Sequence, residues 1–168
     1  VRGLDGRLVI GRVCTPTARK WPLSIIAFSV GLAAQFPDVE WEFVGCPPGL
    51  RLKLQAACAG RARFFGASWE ARSRLWEWDA LLYHNPDVTE SFGRTVAEAM
   101  RAGCIPIVDA RGGFMEQVTP ETGFLCVTPS EFAESVSRLR DTELRRRMSE
   151  AAREHTERRF SVAAFQER

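Results

Sequence analysis

A chain of 168 residues is the size of one domain, and 45% hydrophobic against 26% charged residues excludes a disordered segment. Its 23 basic and 21 acidic residues leave a formal charge of +2, too small a surplus to argue for nucleic acid or an anionic membrane. Five widely spaced cysteines with no Cys-x-x-Cys argue against a zinc site or disulfide framework, and predict buried free thiols in a reducing, cytoplasmic setting.

The opening VRGLDGR has no apolar core for a leader, and Val1 does not read as a natural start, so a longer parent protein is expected. Residues 7–13, RLVIGRV, predict a first strand, closed by the polar loop CTPTARKWP. Ile25, Ile26, Phe28, Leu32, Ala33 and Phe36 then recur near the helical period, in a stretch too short and interrupted to span a bilayer. In residues 37–45 Val39, Trp41 and Phe43 alternate with glutamates, which predicts a second strand ending at Gly45. A short helix over 50–59 and a third strand over 62–66 follow. Next come a helix over 68–78 with Ser68 as N-cap and a fourth strand, DALLYHNP, stopped by Pro86. A helix over 95–102 is closed by Gly103. Residues 104–113 form a strand into a glycine loop, FMEQV a helical turn, and TGFLCV a sixth strand. From 130 to 159 one or two arginine-rich helices are expected.

Strands alternating with helices predict one α/β domain over residues 1–168. The expected architecture is a Rossmann-like three-layer sandwich on a six-stranded parallel sheet of order 3-2-1-4-5-6. In that order the ligand crevice lies beyond the ends of strands one and four. The loops there are RVCTPTARK and HNPDVTESFGRT, the longest polar connections in the chain.

The second of these runs into ESFGRTVAEAM, where Glu90 and Glu98 stand eight positions apart around a glycine turn. A helix start offers unpaired N–H groups and partial positive charge, so the amides near Phe92, Gly93, Arg94 and Thr95 suit an anion. Carboxylates would repel that anion, but each accepts two O–H bonds side by side. The pattern reads as diol, anion, diol, the layout of a sugar nucleotide. Helix-dipole stabilisation is the plainer reading of the same acids. Glu98 is expected in the first turn of the helix. Arg12 at the end of strand one and Lys20 on its loop would grip the phosphates, with Arg19 able to replace Lys20.

Five segments in order resemble the donor-binding, C-terminal half of the family 4 retaining glycosyltransferases, which have the GT-B fold. They are GRV…K (11–20), FFG with WDALLYHNP, PDVTESFGRTVAEAMRAGCIPIV with its E-x7-E spacing, RGGFMEQV and ETGFLC. The resemblance implies ribose binding by Glu98, a donor sugar against Glu90, and a diphosphate on the amides of residues 92–95 with Arg12 and Lys20. It sets Gly66, Ala67 and Ser68, with Trp69, along the base, and Gly112 and Gly113 near the sugar. The chain departs from the family at Ser91 for glycine, Trp21 for glycine, Met115 for proline, and in a longer loop before Lys20. All bear on the shape of the sugar pocket.

The resemblance further implies hexose transfer with retention and no cofactor, the donor being a nucleotide-diphosphate sugar. It implies a missing N-terminal acceptor domain, so an inactive isolated chain, and a last helix continuing past FSVAAFQER. No Asp-x-Asp suggests a metal site, and Gly-x-Gly-x-x-Gly and P-loop signatures are absent. A non-catalytic nucleotide-sugar module and an α/β interaction domain stay open as alternatives. His84 reads as a packed strand end and His155 as solvated. The eight arginines between 138 and 159 read as a solvated face with i,i+4 pairs, or as a contact with the inner membrane surface.

Overall fold

A computed structural model describes residues 7–161. The opening segment and the expected continuation beyond residue 161 lie outside them. The sheet consists of β1 (Val9–Val13), β2 (Glu40–Val44), β3 (Ala62–Phe65), β4 (Ala80–Tyr83), β5 (Ile105–Asp109) and β6 (Phe124–Cys126). All neighbours are parallel, in the order β3-β2-β1-β4-β5-β6, as the sequence predicts. The helices are α1 (Ser24–Gln35), α2 (Pro48–Ala57), α3 (Arg94–Arg101), α4 (Phe114–Gln117), α5 (Pro129–Arg138) and α6 (Thr142–Phe160).

Helices cover both faces, so two cores form. One gathers Ile25, Leu32, Trp41, Phe43, Leu54 and Phe132 under α1, α2 and α5; the other gathers Trp78, Leu81, Tyr83, Val96, Met100 and Ala152 under α3 and α6. Double coverage explains why all of β4 and β5 is buried. Local signals set the ends. Thr128 and Glu131 make a reciprocal capping box at α5, and Asp141 accepts from the N–H groups of Glu143 and Leu144 at α6. After α3, left-handed Gly103 donates to Met100 and Cys104 donates to Ala99, a Schellman ending.

Two expectations change. The helix over 68–78 is a 3₁₀ helix, Glu70–Trp76, although Ser68 does accept the N–H of Ala71. Its arginines are held by tertiary partners, Arg72 by Glu98 and Arg74 by Glu42. The glutamates of β2 also part ways. Glu40 stays half-exposed between Arg7 and Arg63, but Glu42 is 0% exposed. It accepts from Nε and Nη2 of Arg74 and from the Trp78 indole N–H at 2.7 Å. Being on the second face of a doubly covered sheet, Glu42 is shut off from water and is satisfied by these partners instead.

The arginine-rich tail is two helices. Arg146 pairs with Glu143 and Glu150 in the solvent as expected, while Arg145 is buried and donates to the Leu139 carbonyl. His155 is half-buried beside Phe160 rather than solvated. Burial, with the charges of Arg159 and Arg158, holds its pKa below the usual imidazole value. All five cysteines are free and four are buried. Among the described residues no helix is long and apolar enough to cross a membrane.

Candidate functional site

Parallel order brings the ends of β1 and β4 together, and the loops after them face each other. At the start of α3, Gly93 has φ +83°, a conformation that lets the chain turn into the helix at once. A β-carbon there would lie 2.4 Å from the Phe114 ring, so this turn admits only glycine without rearrangement. Val96 donates to the Gly93 carbonyl, whereas the N–H groups of Gly93, Arg94 and Thr95 form no hydrogen bond among the described residues. They edge a cleft of about 380 Å³. Cys14, Thr15 and Lys20 line it from the β1 loop, Ala67, Ser68, Trp69 and Arg72 from the segment after β3, and Tyr83 and Glu90 from β4 and its loop.

Glu90 is the centre of this arrangement. Its Oε1 takes both the Lys20 ammonium and the Tyr83 hydroxyl, the latter at 2.6 Å. Burial pushes its carboxyl pKa up, but the bonds from Lys20 and Tyr83 and the charges of Lys20 and Arg19 outweigh it, and the net shift is downward. Glu90 is therefore a carboxylate at neutral pH, suited to accepting hydroxyl bonds or facing positive charge. The Tyr83 hydroxyl is pushed the other way, by burial and then by its bond to Glu90, and stays protonated. A carboxyl whose pKa is lower folded than unfolded adds stability above the ordinary carboxylate range and loses it as pH falls through the folded value. We expect acidification from about pH 5 to 3 to lower the thermal midpoint less in Glu90→Gln than in the parent, as scanning calorimetry can measure.

Glu98 is the fifth residue of α3 and so lies in its second turn, not the first. Its carboxylate pairs with Arg72, whose guanidinium also lies 5.0 Å from the centre of the exposed Trp69 ring. Arg72, not Glu98, borders the cleft.

Other expected residues sit differently. Arg12 is 2% exposed and does not line the cleft. It donates to the carbonyls of His84 and Lys20, with Trp21 and Tyr83 rings at 5.1 and 4.7 Å. A guanidinium at the end of a central strand is enclosed by its neighbours; here it braces the loop that carries Lys20. Arg19 does not line the cleft, and Lys20 does. Phe92 turns away, with its ring on Phe160 and its carbonyl on the Gln117 side chain. Ala67 and Ser68 line the cleft without Gly66.

Gly112 and Gly113 approach protein backbone rather than open space. A β-carbon at Gly113 would lie 2.4 Å from the Ser91 carbonyl oxygen, and its N–H donates to the Glu90 backbone carbonyl at 2.8 Å. His84 is packed as expected, between Phe28 and Phe132 with Nδ1 on Asp109. It borders a larger groove of about 860 Å³ between α1 and α5, which none of the expected phosphate-binding groups reaches. The smaller cleft has the free amides and paired charges, and we take it as the site.

The profile of the glycosyl transferases group 1 family matches residues 28–155. The chain belongs to that family. No curated protein matches this glycosyltransferase domain by sequence. Solved structures match its fold throughout. HepE from Anabaena in complex with UDP-glucose is 22% identical over 98% of the chain and 48% of its own, with a TM-score of 0.79. TarM of S. aureus is 14% identical over 96% of the chain and 34% of its own, at 0.80. WaaG, a glycosyltransferase involved in lipopolysaccharide biosynthesis, is 16% identical over 97% and 46%, at 0.77. The domain thus spans less than half of each of these proteins.

Arg72 and Tyr83 are among the cleft residues of the glycosyltransferase domain that escape a reading of the sequence. Both left a signal. Arg72 falls four positions after Ser68, one helical turn from the segment expected along the base. Tyr83 is the chain's only tyrosine and ends the strand at the switch point.

Proposed function

We propose that the cleft binds a nucleotide-diphosphate sugar and that, in a longer enzyme, the hexose passes to an acceptor held by a second domain. The observation that carries this is the meeting of three free amides with Lys20, Arg94 and Arg72 in one cleft, each flank of which has a carboxylate. The diphosphate sits on the amides at the start of α3, where the helix dipole favours an anion. Lys20 adds charge, and Arg12 acts by holding the Lys20 loop. Glu98 takes the ribose diol, Trp69 and the loop with Ala67 and Ser68 meet the base, and Glu90 faces the sugar. HepE with bound UDP-glucose and TarM with bound UDP support the ligand class through their shared fold.

In the transfer, the bond from the anomeric carbon to the diphosphate oxygen breaks, and its electron pair leaves with the diphosphate. Amides and cations fixed in advance around that oxygen lower the barrier without reorganising. The ionised Glu90 faces the sugar as it gains positive charge. The acceptor hydroxyl then bonds to the same face of that carbon, giving retention, and its proton leaves with the diphosphate. The proposal needs neither a cofactor nor a metal, since cations and amides hold the leaving group.

Calorimetric titration of the chain with UDP, GDP and ADP tests the reading. One of them is expected to bind with a Kd below about 1 mM, and failure of all three overturns it. The bound nucleotide should outbind its 2′,3′-dideoxy counterpart about tenfold, a gap that closes in Glu98→Ala. The chain by itself should turn over no donor, because the acceptor side is supplied elsewhere.

A further inference from the structure

Glu90 in the cleft and Glu98 behind Arg72 are already engaged, each by a cation. Glu90 holds Lys20, and Glu98 holds Arg72; in each pair both side chains are partly buried, at 22% and 19% and at 36% and 37% exposure. A charge that has lost part of its hydration keeps a partner, so neither member of such a pair is released freely. Lys20 and Arg72 border the cleft, whereas Glu98 does not line it and has Oε1 held by Arg72. A diol that takes both Glu98 oxygens displaces Arg72, and an anion gains Arg72 only if Glu98 lets it go.

We infer that Arg72 is a specificity-determining cation of this site, exchanged from Glu98 to the ligand's phosphate only when a ribose diol replaces it on Glu98. The inference rests on the nucleotide reading above. A ligand with phosphate alone strips Glu98 of its cation and leaves a bare carboxylate near an anion. A ligand with hydroxyls alone parts Arg72 from its only anionic partner among the described residues. A nucleoside diphosphate satisfies both at once, so its two parts bind better together than apart. Glu98 then rejects phosphates that lack a nucleoside, a role separate from recognising ribose. The Trp69 ring beside Arg72 gives the displaced guanidinium a surface to slide on, since stacking tolerates such a shift better than a directed hydrogen bond.

The experiment titrates inorganic diphosphate and a nucleoside separately, by amide chemical shifts at fixed ionic strength, into the parent chain, Glu98→Gln, Arg72→Met and Arg72→Lys. The nucleoside is the one whose diphosphate binds the parent most tightly among UDP, GDP and ADP. Glu98→Gln should bind inorganic diphosphate about tenfold more tightly, since its cation is free, and the nucleoside more weakly. Arg72→Met leaves the Glu98 carboxylate uncompensated near the anion, so it should bind inorganic diphosphate about tenfold more weakly while its nucleoside affinity holds or rises, and Arg72→Lys should restore diphosphate binding. Unchanged or weaker diphosphate binding by Glu98→Gln overturns the exchange, as does an equal loss of both ligands in Arg72→Met. Either result can stand beside firm nucleoside diphosphate binding by the parent, in which case the proposed function survives. A parent that binds none of the three nucleoside diphosphates overturns both.

Discussion

Truncating Glu42 to alanine is expected to cost about 3–5 kcal/mol of stability, because it strands the groups that Glu42 neutralises in the interior. Arg74 reaches it through Nε at 2.9 Å and Nη2 at 2.6 Å, Trp78 donates its indole N–H, and Arg63 comes within 3.0 Å. With the carboxylate gone, Trp78, at 0% exposure, has a polar atom without an acceptor, and among the described residues Arg74 keeps the exposed Glu77 as its only carboxylate partner. The penalty is that of an unmatched charge, not of a lost contact. The double variant Glu42→Gln/Arg74→Met should therefore recover at least half of it, although it removes both charges. Denaturant melts of the parent and the two variants check this. If the double variant is as unstable as Glu42→Ala, packing rather than charge explains the loss. The effect reaches the site as well. Arg74 shares its 3₁₀ helix with Arg72, so releasing it loosens one wall of the cleft.

Substituting Gly113 by alanine should lower nucleoside diphosphate affinity more than tenfold while costing about 1–3 kcal/mol of stability. The added methyl would meet the Ser91 carbonyl oxygen at 2.4 Å, the Phe92 Cα at 2.6 Å and the Phe92 oxygen at 2.8 Å. All three are backbone, so no side chain can swing aside. Gly113 itself has φ −64°, which alanine adopts freely, and the clash is the whole of the problem. Relief has to come from the turn 90–93, which carries Glu90 and leads into the free amides. Gly49→Ala on α2 is the matched control: its methyl would meet nothing within 4 Å, and binding should be unchanged. Calorimetry on both, with the preferred nucleoside diphosphate, gives the comparison. Equal affinity in Gly113→Ala and the parent would show that the turn does not set the site.

The turn proposed to hold phosphate is more legible in the sequence than its partners are. The Ser91–Gly93 turn, the helix behind it and its Gly103 ending all follow from glycines and apolar spacing within a few residues. Arg12 shows the converse. Its place at the end of β1 put it in the crevice by topology, yet nothing nearby in sequence announces the His84 carbonyl and Tyr83 ring that enclose it. Lys20 and Glu90 were each assigned to the site, and that they pair with one another across 70 positions could not be read from either segment. Arg72 is not legible for the same reason, since its partner Glu98 lies 26 residues on.

The sequence by itself determined the six strands, their parallel order and the two loops that meet at the switch point. Periodicity, turn residues and strand–helix alternation are local properties, and handed crossover connections leave little choice of topology. Only the tertiary structure decided which charges are buried, which are paired and which remain for a ligand. Those depend on neighbours brought together by the sheet, and water withdrawn from a carboxylate or guanidinium makes its nearest opposite charge a partner.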